Sequence, residues 1–245
     1  MQVLDAKDVY FKELNNTVKD ILKSGQSEIY IKNVEGQRYI GDGISGRHKI
    51  FIEGTPGNDT AAYMDGPEVI VRGNAQDAMG NTMNSGRVVV HGNAGDTAGY
   101  AMRGGEIFVK GNVGYRVGIH MKEYLGKKPV IVIGGKAGDF LGEYMAGGTI
   151  IVLGLDIRDD EEIAGNYCGT GMHGGTIYIR GNIQPYKLGK EVKPAEADDE
   201  DLEVIKGYIE RFSQYFGVDY NAIMGKKFTK LYAYNKRPYG NLYAY

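Results

Sequence analysis

The feature that most constrains this chain is a repeat of about 19 residues. Apolar triplets recur as Ile29-Tyr30-Ile31, Ile50-Phe51-Ile52, Val69-Ile70-Val71, Val88-Val89-Val90, Ile107-Phe108-Val109, Ile131-Val132-Ile133, Ile150-Ile151-Val152 and Ile177-Tyr178-Ile179. Two residues beyond all but the first stands a glycine: Gly54, Gly73, Gly92, Gly111, Gly135, Gly154 and Gly181. Asn33 takes that place in the first copy, and Asn is the residue that best replaces Gly at left-handed backbone angles. The gaps from Gly54 to Gly111, and from Gly135 to Gly154, are 19 residues, and the others are 21, 24 and 27. A methionine column runs in phase, nine residues before five of the glycines: Met64, Met83, Met102, Met145 and Met172. Met121 joins it if Glu123–Lys127 loop out.

A fixed period of this length, too short for most helical repeats, implies a β-solenoid of about 7–8 coils spanning 27–183. Side chains alternate faces along a strand. The first and third triplet positions are therefore expected inside, with the methionines filling the interior from the opposite wall. Glycines are expected to supply left-handed corners and close wall-to-wall approach. The middle positions (Tyr30, then Phe51, Ile70, Val89, Phe108, Val132, Ile151 and Tyr178) should face outward, yet all are apolar. Strands buried on both faces read as unbroken hydrophobic runs. The strip is thus expected to receive either a partner or the chain's own tail, with Val89 at its centre.

The flanks change period. Ala6–Lys23 has a helical apolar face (Val9, Leu14, Val18, Ile21, Leu22) and a stop at Gly25, giving an N-terminal helical segment over 1–26. Gln184–Pro194 reads as a linker. Ala195–Phe216 reads as a helix with the stripe Leu202, Ile205, Ile209, Phe212 and Phe216, and the tail FTKLYAYNKRPYGNLYAY as extended with a turn at Pro238-Tyr239-Gly240. Linker, helix and tail make up 184–245.

Composition narrows function by exclusion. Glycine is abundant, with 38 residues, but has no collagen period. A net charge of −2 leaves no electrostatic footprint for nucleic acid or an anionic membrane. The single cysteine, Cys168, excludes a disulfide framework or a Cys-ligated cluster and fits a reducing, cytoplasmic setting. No run is long and apolar enough to span a membrane, and the N-terminus lacks signal-peptide organisation. The motif G-x-G-x-x-G occurs at Gly41/Gly43/Gly46 and Gly169/Gly171/Gly174. Each copy is followed by a solenoid strand rather than a helix, so both read as coil corners, not nucleotide loops. His48, His91, His120 and His173 lack metal-ligand spacing. Asp159-Asp160-Glu161-Glu162, within the acidic insertion 155–163, reads as a solvated loop. Catalytic, cofactor-binding and metal residues are all expected to be none.

The repeated units of the GNAGDTAGYAMRGG type, preceded by GQRYIGDG, resemble the GXGXG domain. This is the right-handed parallel β-helix at the C-terminus of the glutamate synthase large subunit, related to the β-helical subunit of formylmethanofuran dehydrogenase. The tail FTKLYAYNKRPYG also resembles glutamate synthase C-termini. The resemblance implies an all-β, right-handed β-helix with flanking helices. It also implies a noncatalytic assembly subunit of a split glutamate synthase, the enzyme that turns glutamine and 2-oxoglutarate into glutamate. The expected partners are a glutamine amidotransferase and an FMN-binding synthase polypeptide, with FMN and an iron–sulfur cluster on those partners. A homo-oligomer is compatible with this. Alternatives are the scaffold subunit of a formylmethanofuran dehydrogenase-type complex and a carbohydrate-active β-helix with carboxylates on adjacent coils.

Overall fold

The computed structural model of the chain describes residues 1–158 and 161–234. Strand β1 (Gln2–Asp5) and helix α1 (Phe11–Lys23) come first. Then β2 (Glu28–Glu35), β3 (Lys49–Thr55), β4 (Asp65–Arg72), β5 (Ser85–Val90), β6 (Glu106–Val109), β7 (Val130–Ile133), β8 (Ala146–Val152) and β9 (Gly174–Arg180) stack in chain order, all parallel. The register joins the triplets residue for residue: Ile29 pairs with Ile50, then Val69, Val88, Ile107, Ile131, Ile150 and Ile177 follow in one line. The result is an all-β parallel solenoid.

Both outer members of every triplet are fully buried, as are Met64, Met83, Met102, Met121, Met145 and Met172. Each such side chain contributes roughly 1.5–3 kcal/mol by leaving water. Met121 keeps its place because residues 123–127 loop out of the coil, closed by an isolated bridge between Tyr124 and Lys127.

The glycine column serves two purposes. Gly54, Gly154 and Gly181 have left-handed backbones, with φ of 117°, 53° and 110°. Gly73, Gly92, Gly111 and Gly135 do not, and they serve the other expected purpose, close approach between coils. Their constraint is space. A Cβ on Gly92, Gly111 or Gly135 would lie 2.3, 2.2 or 2.1 Å from Oδ1 of Asn74, Asn93 or Asn112 in the preceding coil. Those asparagines form a ladder. Asn74 accepts from the Asn93 amide at 2.8 Å, Asn93 from Asn112 at 2.8 Å, and Asn112 from Lys136 at 2.9 Å.

Left-handed corners fall mostly on other columns, and many are not glycine. Tyr39, Asp59, Ala78, Thr97, Arg116, Phe140 and Tyr167 form one such column, and Tyr63, Thr82, Ala101, His120 and Tyr144 another. Each of these residues costs roughly 1–2 kcal/mol in an isolated chain. The stack compensates. The left-handed turn aims the backbone N–H along the rod, so that Thr97 donates to the Tyr115 carbonyl at 2.7 Å and Ala101 to Ile119 at 2.8 Å, one coil ahead. Between the two columns, Gly99 donates backward to Met79 at 2.8 Å. Here glycine is needed for space as well, since a Cβ on Gly99 would lie 2.5 Å from Ile131 Cδ1.

The flanks differ from expectation. Gln2–Asp5 is a strand beside β2, and α1 begins at Phe11, not Ala6, burying Leu14, Val18, Ile21 and Leu22 against the first coil. The linker region contains β10 (Val192–Glu196). Helix α2 (Asp199–Phe216) opens on a capping box of Asp198 with Asp201 and ends at Gly217, and a short α3 (Tyr220–Met224) follows. The tail begins as β11 (Phe228–Ala233), antiparallel to β9 and to β10, so the end of the parallel stack is closed by a reversed pair. The turn expected at Pro238-Tyr239-Gly240 lies outside the described residues.

The outward strip is covered by this C-terminal segment. Val89, Phe108, Val132, Ile151 and Tyr178 are buried in one cluster with Ile205, Ile209 and Phe212 of α2, Ile223 of α3 and Phe228. Phe51 and Ile70, at the other end, stay half-buried. Polar contacts fix the helix. Tyr178 Oη donates to Asp201 at 2.7 Å, and Lys230 pairs with the same carboxylate at 2.6 Å. Arg87 pairs with Glu106 at 2.7 Å and donates to Tyr215 at 2.8 Å, while Arg211 reaches Glu106 at 2.9 Å.

Replacement of Gly111 by Ala should cost about 2 kcal/mol by forcing the asparagine ladder apart. Ala101→Gly should gain about 1 kcal/mol by relieving a left-handed alanine; urea unfolding checks both signs. Val89→Lys places a charge under α2 and should expose the C-terminal segment to limited proteolysis while the coils stay resistant. The attachment should also weaken in acid. Burial alone would raise the Asp201 pKa, but Lys230, Tyr178 and the Asp198 amide outweigh it, and the carboxyl sits below its ordinary 3.8. A lowered carboxylate stabilises fully above its unfolded pKa and loses that contribution as pH falls through the folded value. Hydrogen exchange of α2 should therefore accelerate below about pH 4 and do so less in Asp201→Asn.

Candidate interaction surfaces

With the strip from Val89 to Tyr178 covered by α2 and α3, the corner wall carries an open aromatic surface of the solenoid. Several of its left-handed residues, among them Tyr63, Arg116, His120 and Tyr167, turn their side chains outward, and coil stacking brings aromatic ones into contact. Arg116 lies over Phe140, 4.5 Å from the ring centroid, and Phe140 stacks on Tyr167 at 5.0 Å. Arg116 also pairs with Glu143. One column over, His120 stacks on Tyr144 at 5.3 Å and meets the edge of Tyr100 at 5.9 Å. Tyr63, Tyr100, Tyr115 and Tyr167 are exposed. Apolar triplets and glycines alone do not reveal this wall. The sequence carries a partial signal: Tyr63, His120 and Tyr144 each lie nine residues after a glycine of the column.

The residues singled out from sequence fall into structural places. Gly41, Gly43, Gly46, Gly169 and Gly171 are left-handed corners, and a Cβ on Gly174 would lie 2.4 Å from the Ala146 carbonyl. Cys168 is buried in the interior, where burial pushes its thiol up to about 12. His91 packs edge-on to Phe216 at 5.2 Å, and burial followed by the nearby Lys110 and Arg72 lowers its pKa. A ring nitrogen of His173 lies 3.3 Å from the Gly171 carbonyl. Among the described residues no group of three His, Cys, Asp or Glu side chains could hold a metal ion. None of the described helices is long and apolar enough to cross a membrane.

Carboxylates do recur on the coils, at Asp77, Asp96 and Asp139, but they serve the backbone. Asp77 accepts from the Asp96 amide at 2.9 Å, Asp96 from Tyr115 at 2.8 Å, and Asp139 from Asn166 at 2.7 Å. They form a second ladder rather than an acid–base pair. An open cleft of about 570 Å³ lies between the 155–163 insertion and the last coil. Two of its basic groups, Arg180 and Lys187, are committed internally. Arg180 donates to the Ile223 and Ala222 carbonyls at 3.0 Å, and Lys187 donates to Ala164 at 3.2 Å and pairs with Glu162. Glu161 pairs with Lys136 at 3.5 Å, while Asp159 and Asp160 lie outside the described residues.

Comparison with known proteins places this architecture. A chain of the formyltransferase/hydrolase complex (FhcABCD) from Methylorubrum extorquens, solved with methylofuran, shares the fold with a TM-score of 0.62. The match covers 93% of this chain and 89% of that one at 18% identity. Uncharacterized protein MJ1350 of Methanocaldococcus jannaschii is 49% identical over 249 residues, covering 98% of this chain and 95% of that protein. The sequence model described as the GXGXG motif matches residues 12–236. With nearly the whole length matched by that model and by a close relative, the chain belongs to the GXGXG motif family.

Proposed function

We propose that this chain is a noncatalytic assembly subunit, a rigid rod against which the catalytic polypeptides of a multi-subunit enzyme pack. The observation that carries this reading is the corner wall. Exposed tyrosines with an arginine among them, fixed on a backbone hydrogen-bonded from coil to coil, have the composition of an interface core. The interior and the strip from Val89 to Tyr178 are filled by the chain's own side chains, and the wall offers a partner contact area.

Two assemblies suit such a rod. A formylmethanofuran dehydrogenase-type complex is supported by the solved chain that shares this fold along most of its length, since that chain sits in a multi-subunit formyltransferase/hydrolase complex. A split glutamate synthase is supported by the GQRYIGDG and FTKLYAYNKRPYG phrases. In that assembly FMN and the iron–sulfur cluster belong to the partner polypeptides. A lone buried cysteine does not fit cluster ligation in this chain.

Isolation of the tagged full-length chain from its native cells, with mass spectrometry of what accompanies it, tests the reading. A molybdenum or tungsten protein identifies the first assembly. A glutamine amidotransferase with a flavin polypeptide identifies the second. Recovery of the chain alone contradicts the assembly role, and full glutamine-dependent synthase activity without the chain removes the second assembly.

A further inference from the structure

The insertion between Met121 and β7 is a tight hairpin. The Tyr124 amide donates to the Lys127 carbonyl at 3.2 Å, and the Lys127 amide returns to Tyr124 at 3.0 Å. The two residues between them are both left-handed, Leu125 with φ 50° and Gly126 with φ 74°. Such a turn favours Asn-Gly or Asp-Gly, because a leucine backbone is unfavourable at positive φ. Leu125 nevertheless holds the first position and is 82% exposed, so its side chain gains almost no packing within this chain. The hairpin base is firmly seated. Glu123 accepts from the Gly148 amide at 3.3 Å, and Gly147 lies so close that a Cβ there would meet the Glu123 nitrogen at 2.7 Å. The apolar tip is therefore held out by a fixed base.

The surroundings of the tip are cationic. Arg103 and Lys122 lie over the exposed Tyr124 ring, 5.6 and 5.9 Å from its centroid, and Lys127 and Lys128 are exposed beside the tip. Lys127 pairs with Asp65 at 3.4 Å, and the Glu123 carboxylate is turned back to Gly148. We propose that Leu125, with Tyr124 behind it, is a docking knob that inserts into an apolar pocket rimmed by carboxylates on a partner protein. An acid-rimmed pocket satisfies the lysines and Arg103, while the leucine supplies the desolvated anchor. The inference rests on the assembly reading above and adds to it the point of attachment and the chemistry of its receptor.

The test uses the full chain and the companions that purify with it, identified and then recombined in solution. Leu125→Asn suits the left-handed turn, so its melting temperature should match or exceed that of the wild type. Its affinity for the companion should fall at least tenfold. The double substitution Lys122→Glu and Lys128→Glu should weaken binding and flatten its salt dependence. A photo-crosslinking residue in place of Leu125 should label an apolar site flanked by Asp or Glu on the companion. Unchanged affinity of Leu125→Asn overturns the knob while leaving the assembly reading intact. Crosslinking to a second copy of this chain, or co-sedimentation of the chain with phosphatidylserine vesicles that Leu125→Asn abolishes, overturns the choice of partner. Absence of any companion to the wild-type chain overturns the assembly reading and the knob with it.

Discussion

Coils of this rod bond to the coils above and below through their backbone groups, on the strand wall and at the corners. On the strand wall this is an ordinary parallel ladder. Elsewhere it requires two less common devices. Side-chain oxygens of Asn74, Asn93 and Asn112 stand in for carbonyls, and residues with positive φ turn their amides along the rod axis. Both follow from one rule: a buried or closely packed backbone amide must find an acceptor. The glycines at 92, 111 and 135 are the steric consequence, since the asparagine oxygens occupy the space where a Cβ would stand.

The same constraint decides which surface is available. Parallel strands covered on both faces are apolar on both faces, and here the second cover is the chain's own helix α2, fixed by Asp201, Tyr178 and Lys230. Several left-handed corner positions, by contrast, among them Tyr63, Arg116, His120 and Tyr167, aim their side chains away from the core. A chain built to be stable in this way presents a rigid and ordered row of side chains, and aromatic residues occupy several of its places. Rigid aromatic rows lose little conformational entropy on docking, which suits the assembly role proposed above.

Much of the fold was legible in the sequence because it is periodic. The triplets, the methionine column and the outward strip each repeat at the coil interval, and each is a statement about burial. The resemblance carried by GNAGDTAGYAMRGG and its copies named the family. What stayed hidden is not hydrophobic. The asparagine and aspartate ladders use polar residues that read as loop chemistry, and Tyr39, Thr97, Phe140 or Tyr167 at left-handed angles contradict local preference. Only tertiary hydrogen bonds between coils select those angles. Strand β1 escaped for a related reason: Gln2–Asp5 is short and exposed, and it is a strand only because β2 offers an open edge. The cover over Val89 was open between a partner and the chain itself, a choice that depends on the distance the C-terminal segment travels and not on any local pattern.

Hydroxyl-radical footprinting of the native assembly, set against the isolated chain, addresses the central claim that the corner wall is the face turned to partners. The account predicts that Tyr63, Tyr100, Tyr115 and Tyr167 lose reactivity in the assembly, while residues on the outer face of α2 such as Val204 keep theirs. Equal reactivity of the four tyrosines in both states, or protection confined to α2, would contradict it.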